Sequence, residues 1–463
     1  MIAKKAPPVT PFKSANARHS HFWPRCLLAA SLFGITSARA LADGSVTFTW
    51  DAAPDSDVIG YNVFYGTASR TYTFATPVGL VTNATVSGLR EGLTYFFANV
   101  AYTAEGSFSD FSDEVSQFIP LPNSPNAFAP VSGAYNGLFF ETNQIQQASS
   151  GILSLFVTPR GTYSGRLQSG NIRAPFHGKL DFSCQATNAL SAPNKNSFLV
   201  QFRVDGNGQL TGQVSNGNTV SSLTAERTSF NSRTSPAPFA GRYTCVFPGQ
   251  GTDPSAPQAY GFGVAQIKTS GSAIFFGTLA DGTHVTQSTL VPDEGVWPFY
   301  APLYSGNGSI ICLLTFTNLI NTDLNGLMNW IKPVTPNTKY YSTGFTNQSQ
   351  MIGSRYSMPS PITQPVLELP EAFIAFTGGN LGLGFTNTVS IGRASRVANQ
   401  SPNPLSMAFS ISTGTFRGSV VDPVNGDTVP FSGVAFQKNA VGYGFLAGTD
   451  QTSTVLLGLW RVE

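Results

Sequence analysis

The hydrophobic positions of this 463-residue chain fall into short alternating runs, and one pattern keeps returning inside them. A bulky apolar residue is followed by any residue, glycine, any residue and a second apolar residue. It reads Tyr135-Gly137-Phe139, Tyr163-Gly165-Leu167, Phe176-Gly178-Leu180, Leu210-Gly212-Val214, Phe275-Gly277-Leu279, Leu324-Gly326-Met328 and Phe416-Gly418-Val420. Phe431-Gly433-Ala435 is a weaker copy. On a strand, residues two apart share a face, so both bulky residues and the glycine point the same way. A glycine on a buried strand face marks a bend, a bulge or a close approach by a neighbour. The pattern therefore predicts curved antiparallel sheet. Between the runs lie Asp205-Gly206-Asn207-Gly208, Asn216-Gly217, Asp281-Gly282 and Asn425-Gly426-Asp427, which is hairpin turn chemistry. No stretch after residue 42 sustains a helical period with caps.

The runs group into three related units. Unit one covers residues 132–235 and opens at GAYNGLFF; unit two covers 236–335 and opens at AGRYTCVF. Unit three covers 336–463, with its first strand near AFIAF, and units two and three either stay separate or share one sheet system. Each unit shows about seven candidate strands, and consecutive hairpins with bending glycines favour sheets that curl into barrels or half-barrels. The fold class expected is all-β. The best internal match joins TPRGTYSGRLQSGNIRAPFHGKL in unit one to ISTGTFRGSVVDPVNGDTVPFSGVA in unit three. Unit two keeps Pro298-Phe299 but carries Ala301 for the glycine, and HVTQSTLVPDEG reads there as an insertion. The segment Tyr340 to Pro361 lacks a strand partner in unit one and reads as a tie between units two and three.

Residues 43–119 carry a different signature. SVTFTW ends at Trp50; DAAPDSDVIGYNVFYG follows, with Tyr61, Val63 and Tyr65 alternating; ATVSGL ends at Leu89 and leads into REGLTYFFANVAY; FSDFSDEVS closes the segment. This resembles a fibronectin type III domain, with Gly92 and Tyr95 at the family's glycine turn and tyrosine corner. The resemblance implies a seven-strand Greek-key sandwich and a spacer or adhesive role outside the cell. Asn99 departs from the family pattern, because alternation places it on the face of Tyr95 and Phe97. Residues 120–131, drawn from the run IPLPNSPNAFAP, read as a linker stiffened by proline. The region beyond is similar to the repeat-bearing C-terminal part of secreted bacterial proteins of Verrucomicrobia-like lineages, which implies location and no reaction.

Composition adds a setting. Charged residues are 11% of the chain against a typical ~25%, yet 36 Phe, 15 Tyr and 46 Gly supply ample area to bury, which excludes a disordered chain. Lys4, Lys5, Lys13, Arg18 and Arg25 precede the apolar run CLLAASLFGITSA, which is too short to span a bilayer, and small residues follow. Residues 1–42 therefore read as an export signal, and the protein is expected to be secreted or held at the cell surface. Removing that segment takes six basic residues from 26 and leaves 20 against 24 acidic ones, a formal −4. Nucleic acid is not an expected partner.

Candidate chemistry is sparse. Cys184, Cys245 and Cys312 are far apart and odd in number, with no metal spacing. His177 and His284 are the histidines left after export. No cofactor or metal motif and no catalytic signature occurs. Asp293, Glu294, Glu368 and Glu371 lie in loops beside prolines, where a glycosidase would need two acids held across a cleft. The most suggestive cluster is aromatic: Trp297, Tyr300 and Tyr304, followed by Trp330, Tyr340 and Tyr341. Flat rings with a polar handle stack on sugars, so these six are the candidate binding residues, for an extracellular glycan or a protein partner; packing into a core is the competing reading. The function expected is non-catalytic binding or structural work. The alternatives are an extracellular polysaccharide-acting hydrolase and an outer-membrane barrel, the latter opposed by the lack of a consistent lipid-facing apolar band.

Overall fold

The computed structural model describes residues 28–29, 44–119, 127–191, 197–217, 219–249 and 254–459. The expected export signal, Leu28 and Ala29 apart, and most of the expected linker lie outside these residues. The regular structure of the described chain is almost all strand, joined by turns and a few short 3-10 segments. Its first part holds β1 (Leu28–Ala29), β2 (Gly44–Trp50), β3 (Val58–Gly66), β4 (Phe74–Gly79), β5 (Asn83–Leu89), β6 (Thr94–Thr103) and β7 (Val115–Phe118). These make a sandwich of two sheets, ordered β1-β2-β5 and β4-β3-β6-β7. Its core is Phe48, Trp50, Tyr61, Val63, Tyr95 and Phe97, contributed by alternate residues of both sheets. The Arg90 N–H donates to Tyr95 Oη at 3.1 Å, which is the expected tyrosine corner.

Asn99 lies fully inside this sandwich, and neither side-chain polar atom has a partner. Leaving a buried amide unpaired costs about 1–3 kcal/mol. Asn99→Leu, close in volume, is therefore expected to raise the unfolding free energy of this domain by about 1–2 kcal/mol. Chemical denaturation of the full chain checks it, and a destabilised variant would contradict the reading.

Three eight-stranded antiparallel sheets follow, each curling so that its last strand pairs with its first. Barrel one is β8 (Gly133–Phe140), β9 (Gly151–Val157), β10 (Thr162–Ser169), β11 (Ile172–Lys179), β12 (Gln185–Ser191), β13 (Ser197–Val204), β14 (Gln209–Asn216) and β15 (Thr219–Thr228). Barrel two is β16 (Gly241–Phe247), β17 (Gly261–Ile267), β18 (Ser272–Thr278), β19 (His284–Leu290), β20 (Val296–Leu303), β21 (Gly308–Phe316), β22 (Leu324–Lys332) and β23 (Phe345–Tyr356). Barrel three is β24 (Ala372–Thr377), β25 (Phe385–Ile391), β26 (Val397–Asn399), β27 (Leu405–Ser410), β28 (Thr415–Val421), β29 (Thr428–Phe436), β30 (Val441–Ala447) and β31 (Thr452–Gly458). Each interior is filled by its own side chains, as a barrel this narrow allows.

Two expectations change here. The segment Phe345–Tyr356, read from sequence as part of unit three, is the closing strand of barrel two: Cys245 pairs with Gly353 and Thr244 with Ser354. Seven strands would have left β16 with an unpaired edge. The apparent insertion HVTQSTLVPDEG contains β19, a full strand paired along β18.

The apolar-x-Gly-x-apolar pattern acquires a physical cause. At each of its eight glycines a Cβ would meet another atom at 2.6 Å or less. In the β10–β11 hairpin Tyr163 lies opposite Gly178 and Phe176 opposite Gly165, so each ring covers the glycine across from it. The β28–β29 hairpin repeats this with Phe416 over Gly433 and Phe431 over Gly418. Rings laid over cross-strand glycines shield the bared backbone and let the sheet curve. The internal sequence match therefore marks one hairpin device. It does not mark one position in the barrel, because β10–β11 are strands three and four whereas β28–β29 are strands five and six.

The sheet ladder also opens at a different place in barrel three. In barrels one and two the break falls between strands four and five; in barrel three it falls between β26 and β27, one strand earlier. Edge positions explain the prolines, since a residue without an N–H costs nothing on an unpaired side. Pro175 lies on β11 and Pro298 and Pro302 on β20, all edge strands, and Pro430 lies where the β30 pairing has ended.

Candidate functional site

The six aromatic residues singled out from sequence part company in the structure. Trp297 is fully buried inside barrel two, edge-on to Phe299, and its Nε1 donates to Gln287 Oε1 at 2.9 Å. Gln287 in turn donates from Nε2 to the Pro298 carbonyl at 2.9 Å, so this pair bridges the open seam between β19 and β20. Tyr300 faces outward but is buried against barrel one with Leu138 and Ile311. Its Oη accepts from the Gly170 N–H at 2.7 Å, and burial pushes its phenol up to about 12. Tyr340 and Tyr341 face barrel three: Tyr340 Oη donates to the Gly448 carbonyl at 3.3 Å, and Tyr341 Oη lies 3.1 Å from Thr452 Oγ1.

Only Tyr304 and Trp330 come together. Trp330 Nε1 donates to Tyr304 Oη at 2.9 Å, and Tyr304 Oη donates to Asp281 Oδ2 at 2.7 Å. Trp330, Tyr341 and Tyr300 are buried, while Tyr304 and Tyr340 are half-buried. The patch proposed from sequence therefore offers no open ring in barrel two. The reason is the alternation itself: Trp297, Phe299 and Trp330 lie on the inward faces of β20 and β22. The chain then uses Tyr300 and Tyr341 to seat barrel two against its neighbours.

These seats are specific. Barrels two and three share Val246, Val434 and Phe436 with flanking Tyr260, Phe262 and Tyr443. Thr244 Oγ1 donates across to the Ala435 carbonyl at 2.7 Å. Barrel one holds the Tyr304–Gly306 turn through Gln147 and Asn171, which donate to the Gly306 and Ser305 carbonyls. The sandwich meets barrel one at Arg203, whose guanidinium donates to the Ser116 carbonyl at 3.2 Å, and at Gln117, which donates to the Ser183 carbonyl.

A concave surface that combines an open aromatic face with convergent polar groups lies where no sequence motif pointed. It is a groove of about 620 Å³ on the outer wall of barrel two, bounded on one side by the Ser412–Thr415 turn of barrel three. Its floor is Phe262, Val264, Ile274 and Phe276, outward-facing because they alternate with the interior residues of β17 and β18. Phe276 is 61% exposed. Around it stand Arg242, Gln266, Thr278, His284, Thr286 and Thr413. Arg242 is held in place, donating to Gln266 Oε1 at 3.0 Å and to the Ser412 carbonyl at 2.7 Å. His284 Nδ1 lies 3.1 Å from Thr278 Oγ1. A sequence signal for this site existed in the apolar residues on the solvent side of two adjacent strands. The interior residues beside them, Ala273 and Phe275, masked it as continuous core.

The remaining candidates lie elsewhere. His177 is exposed on β11. Glu368 and Glu371 are exposed before β24, and Asp293 accepts from the Ser229 N–H at 2.7 Å between barrels one and two. Near Glu294, Glu226 is raised above the ordinary carboxyl range, first by burial and then by the Glu294 charge. The three cysteines are buried and unpaired, and burial pushes the Cys184 and Cys245 thiols up to about 12. Among the described residues no group of three or more His, Cys, Asp or Glu side chains is placed to hold a metal. No described helix is long and apolar enough to cross a membrane.

Comparison with known proteins identifies the first domain. Residues 34–118 match the fibronectin type III domain family, so the sandwich and the tyrosine corner belong to that fold. No curated protein matches the chain. Among solved structures, isotype 1 transferrin binding protein B from serogroup B Neisseria meningitidis is 10% identical with a TM-score of 0.21, over 80% of this chain and 84% of that one. A transferrin binding protein B variant from Haemophilus parasuis Hp5 is 8% identical with a TM-score of 0.20, over 93% and 98% of the two chains. The fungal lectin from Aleuria aurantia, a six-bladed propeller, is 9% identical with a TM-score of 0.12, over 77% and 91%. At such scores the likeness says nothing about ligand or partner.

Proposed function

We propose that this chain is a non-catalytic extracellular binding scaffold, in which a fibronectin type III domain and three filled barrels present the barrel-two groove to a polysaccharide. The observation that carries this reading is the exposed Phe276 ring, set among planar and hydroxylated polar groups of low net charge. A sugar ring offers an apolar face to stack on such an aromatic, and hydroxyls to meet Gln266, His284 and the threonines. Arg242 is braced by two hydrogen bonds, so its remaining N–H groups are pre-oriented for ligand oxygens. The outer faces of strands such as β14, with Gln209, Thr211, Gln213 and Ser215, are polar. That favours water over lipid as their surroundings and supports a secreted or surface-held protein over an outer-membrane barrel.

Binding of soluble polysaccharides to the full chain, measured by calorimetry, tests the reading. Phe276→Ala is expected to weaken binding by about tenfold while leaving the unfolding midpoint in place, because the ring is solvent-facing. Equal affinity in the variant, or no polysaccharide bound by the native chain, would overturn it.

A further inference from the structure

The mouth of barrel two holds a group of side chains that the groove does not use. Lys332 Nζ, at the end of β22, lies 2.7 Å from Asp281 Oδ2 in the β18–β19 turn. The two side chains are 2% and 0% exposed, enclosed with Trp330, Phe345 and the Tyr304 ring, over which Nζ sits at 4.7 Å. Asp281 Oδ1 accepts from the Thr283 N–H at 3.0 Å. Oδ2 accepts from Tyr304 Oη, whose own oxygen is fixed by Trp330 Nε1. Tyr304 adopts a left-handed backbone (φ 50°), as does Ser305 (φ 57°), a local strain that persists only where the surroundings impose it.

We infer that Lys332 and Asp281 are placed to condense into an intramolecular amide that staples the mouth of barrel two. In the first step one ammonium proton passes from Lys332 Nζ to Asp281 Oδ2 across their 2.7 Å contact. The neutral Nζ then attacks Asp281 Cγ. Charge developing on Oδ1 meets the Thr283 N–H, which acts as an oxyanion donor. Oδ2 leaves as water, and the hydrogen bond from Tyr304 supports its departure. The balance is carboxylate plus ammonium giving amide plus one water, with no oxidant, reductant or co-reactant. Burial, then the Asp281 charge, holds the Tyr304 phenol well above its ordinary range, so it stays protonated and able to donate. No disulfide joins the described residues, so this would be their one covalent tie beyond the backbone. It would also remove two charges from an apolar interior. The inference is independent of the polysaccharide reading.

Intact-mass spectrometry of the purified full chain tests it. The expected result is a loss of about 18 Da, one water, with a branched peptide joining the Asp281 and Lys332 segments after digestion. Asp281-Gly282 could lose the same mass by cyclising to a succinimide. Lys332→Arg separates the two: it restores the full mass if the amide forms and retains the loss if a succinimide does. Tyr304→Phe is expected to slow the mass loss in a time course after refolding. A native chain at full mass with separate Asp281 and Lys332 peptides overturns the inference, as does a loss that survives Lys332→Arg.

Discussion

Trp297→Ala is expected to destabilise barrel two by about 3–5 kcal/mol, the cost of emptying a fully buried aromatic site. Trp297 is entirely inside, edge-on to Phe299 at 5.4 Å and to Phe275 at 6.4 Å. The indole also carries a polar duty. Its N–H satisfies Gln287 Oε1, and Gln287 holds the seam at the Pro298 carbonyl. The alanine variant therefore leaves both a cavity and a buried amide oxygen without a donor, and the two costs add. Urea denaturation of the full chain, followed by tryptophan fluorescence to which Trp330 contributes from inside the same core, measures the loss. A shift below about 1 kcal/mol would mean that the interior closes over the missing ring, contrary to the packing described. Any loss of polysaccharide binding in this variant should track unfolding, whereas Phe276→Ala should separate binding from stability.

Gly137→Ala should cost barrel one about 3 kcal/mol, a large effect for one methyl group. Gly137 lies between Tyr135 and Phe139 on the inward face of β8, opposite Ala225 on β15. A Cβ there would stand 2.0 Å from the Thr224 carbonyl oxygen and 2.3 Å from the Ala225 Cα. Both obstacles are backbone, so no side-chain rotation relieves them. Strand β8 would have to move off β15, at the pairing that closes the barrel. Gly217→Ala makes an informative contrast: nothing lies within 4 Å of its Cβ position, but its φ of 61° makes alanine strained for a conformational reason. Thermal unfolding of both variants distinguishes the mechanisms. If Gly137→Ala melts with the native chain, the close strand approach is not required, and the glycine pattern loses its explanation.

Much of the fold was legible because its determinants are local. Alternation fixed which face of β17 or β20 turns inward, and turn residues fixed where hairpins reverse. The Trp50, Gly92 and Tyr95 spacing marked the fibronectin domain. Aromatic–glycine pairs are also local, lying across one hairpin, so Tyr163-x-Gly165 and Phe176-x-Gly178 could be read as a unit. The count of strands was less secure, because β19 and β23 look ordinary until their partners are known. The aromatic site misled for a related reason. Trp297, Tyr300 and Tyr304 are neighbours in sequence, but a strand sends alternate residues to opposite faces, and barrel packing covers both.

By itself the sequence determined that this chain makes curved antiparallel hairpins behind a fibronectin domain, since side-chain alternation and turn chemistry act within a few residues. Only the tertiary structure decided which strand closes each barrel, where each ladder breaks, and that Phe276 faces solvent while Trp297 does not. It alone brought Lys332 to Asp281 across 51 positions of chain. Those outcomes depend on strand pairing between distant segments and on which outer surfaces neighbouring barrels cover, and neither leaves a periodic trace in the residues themselves.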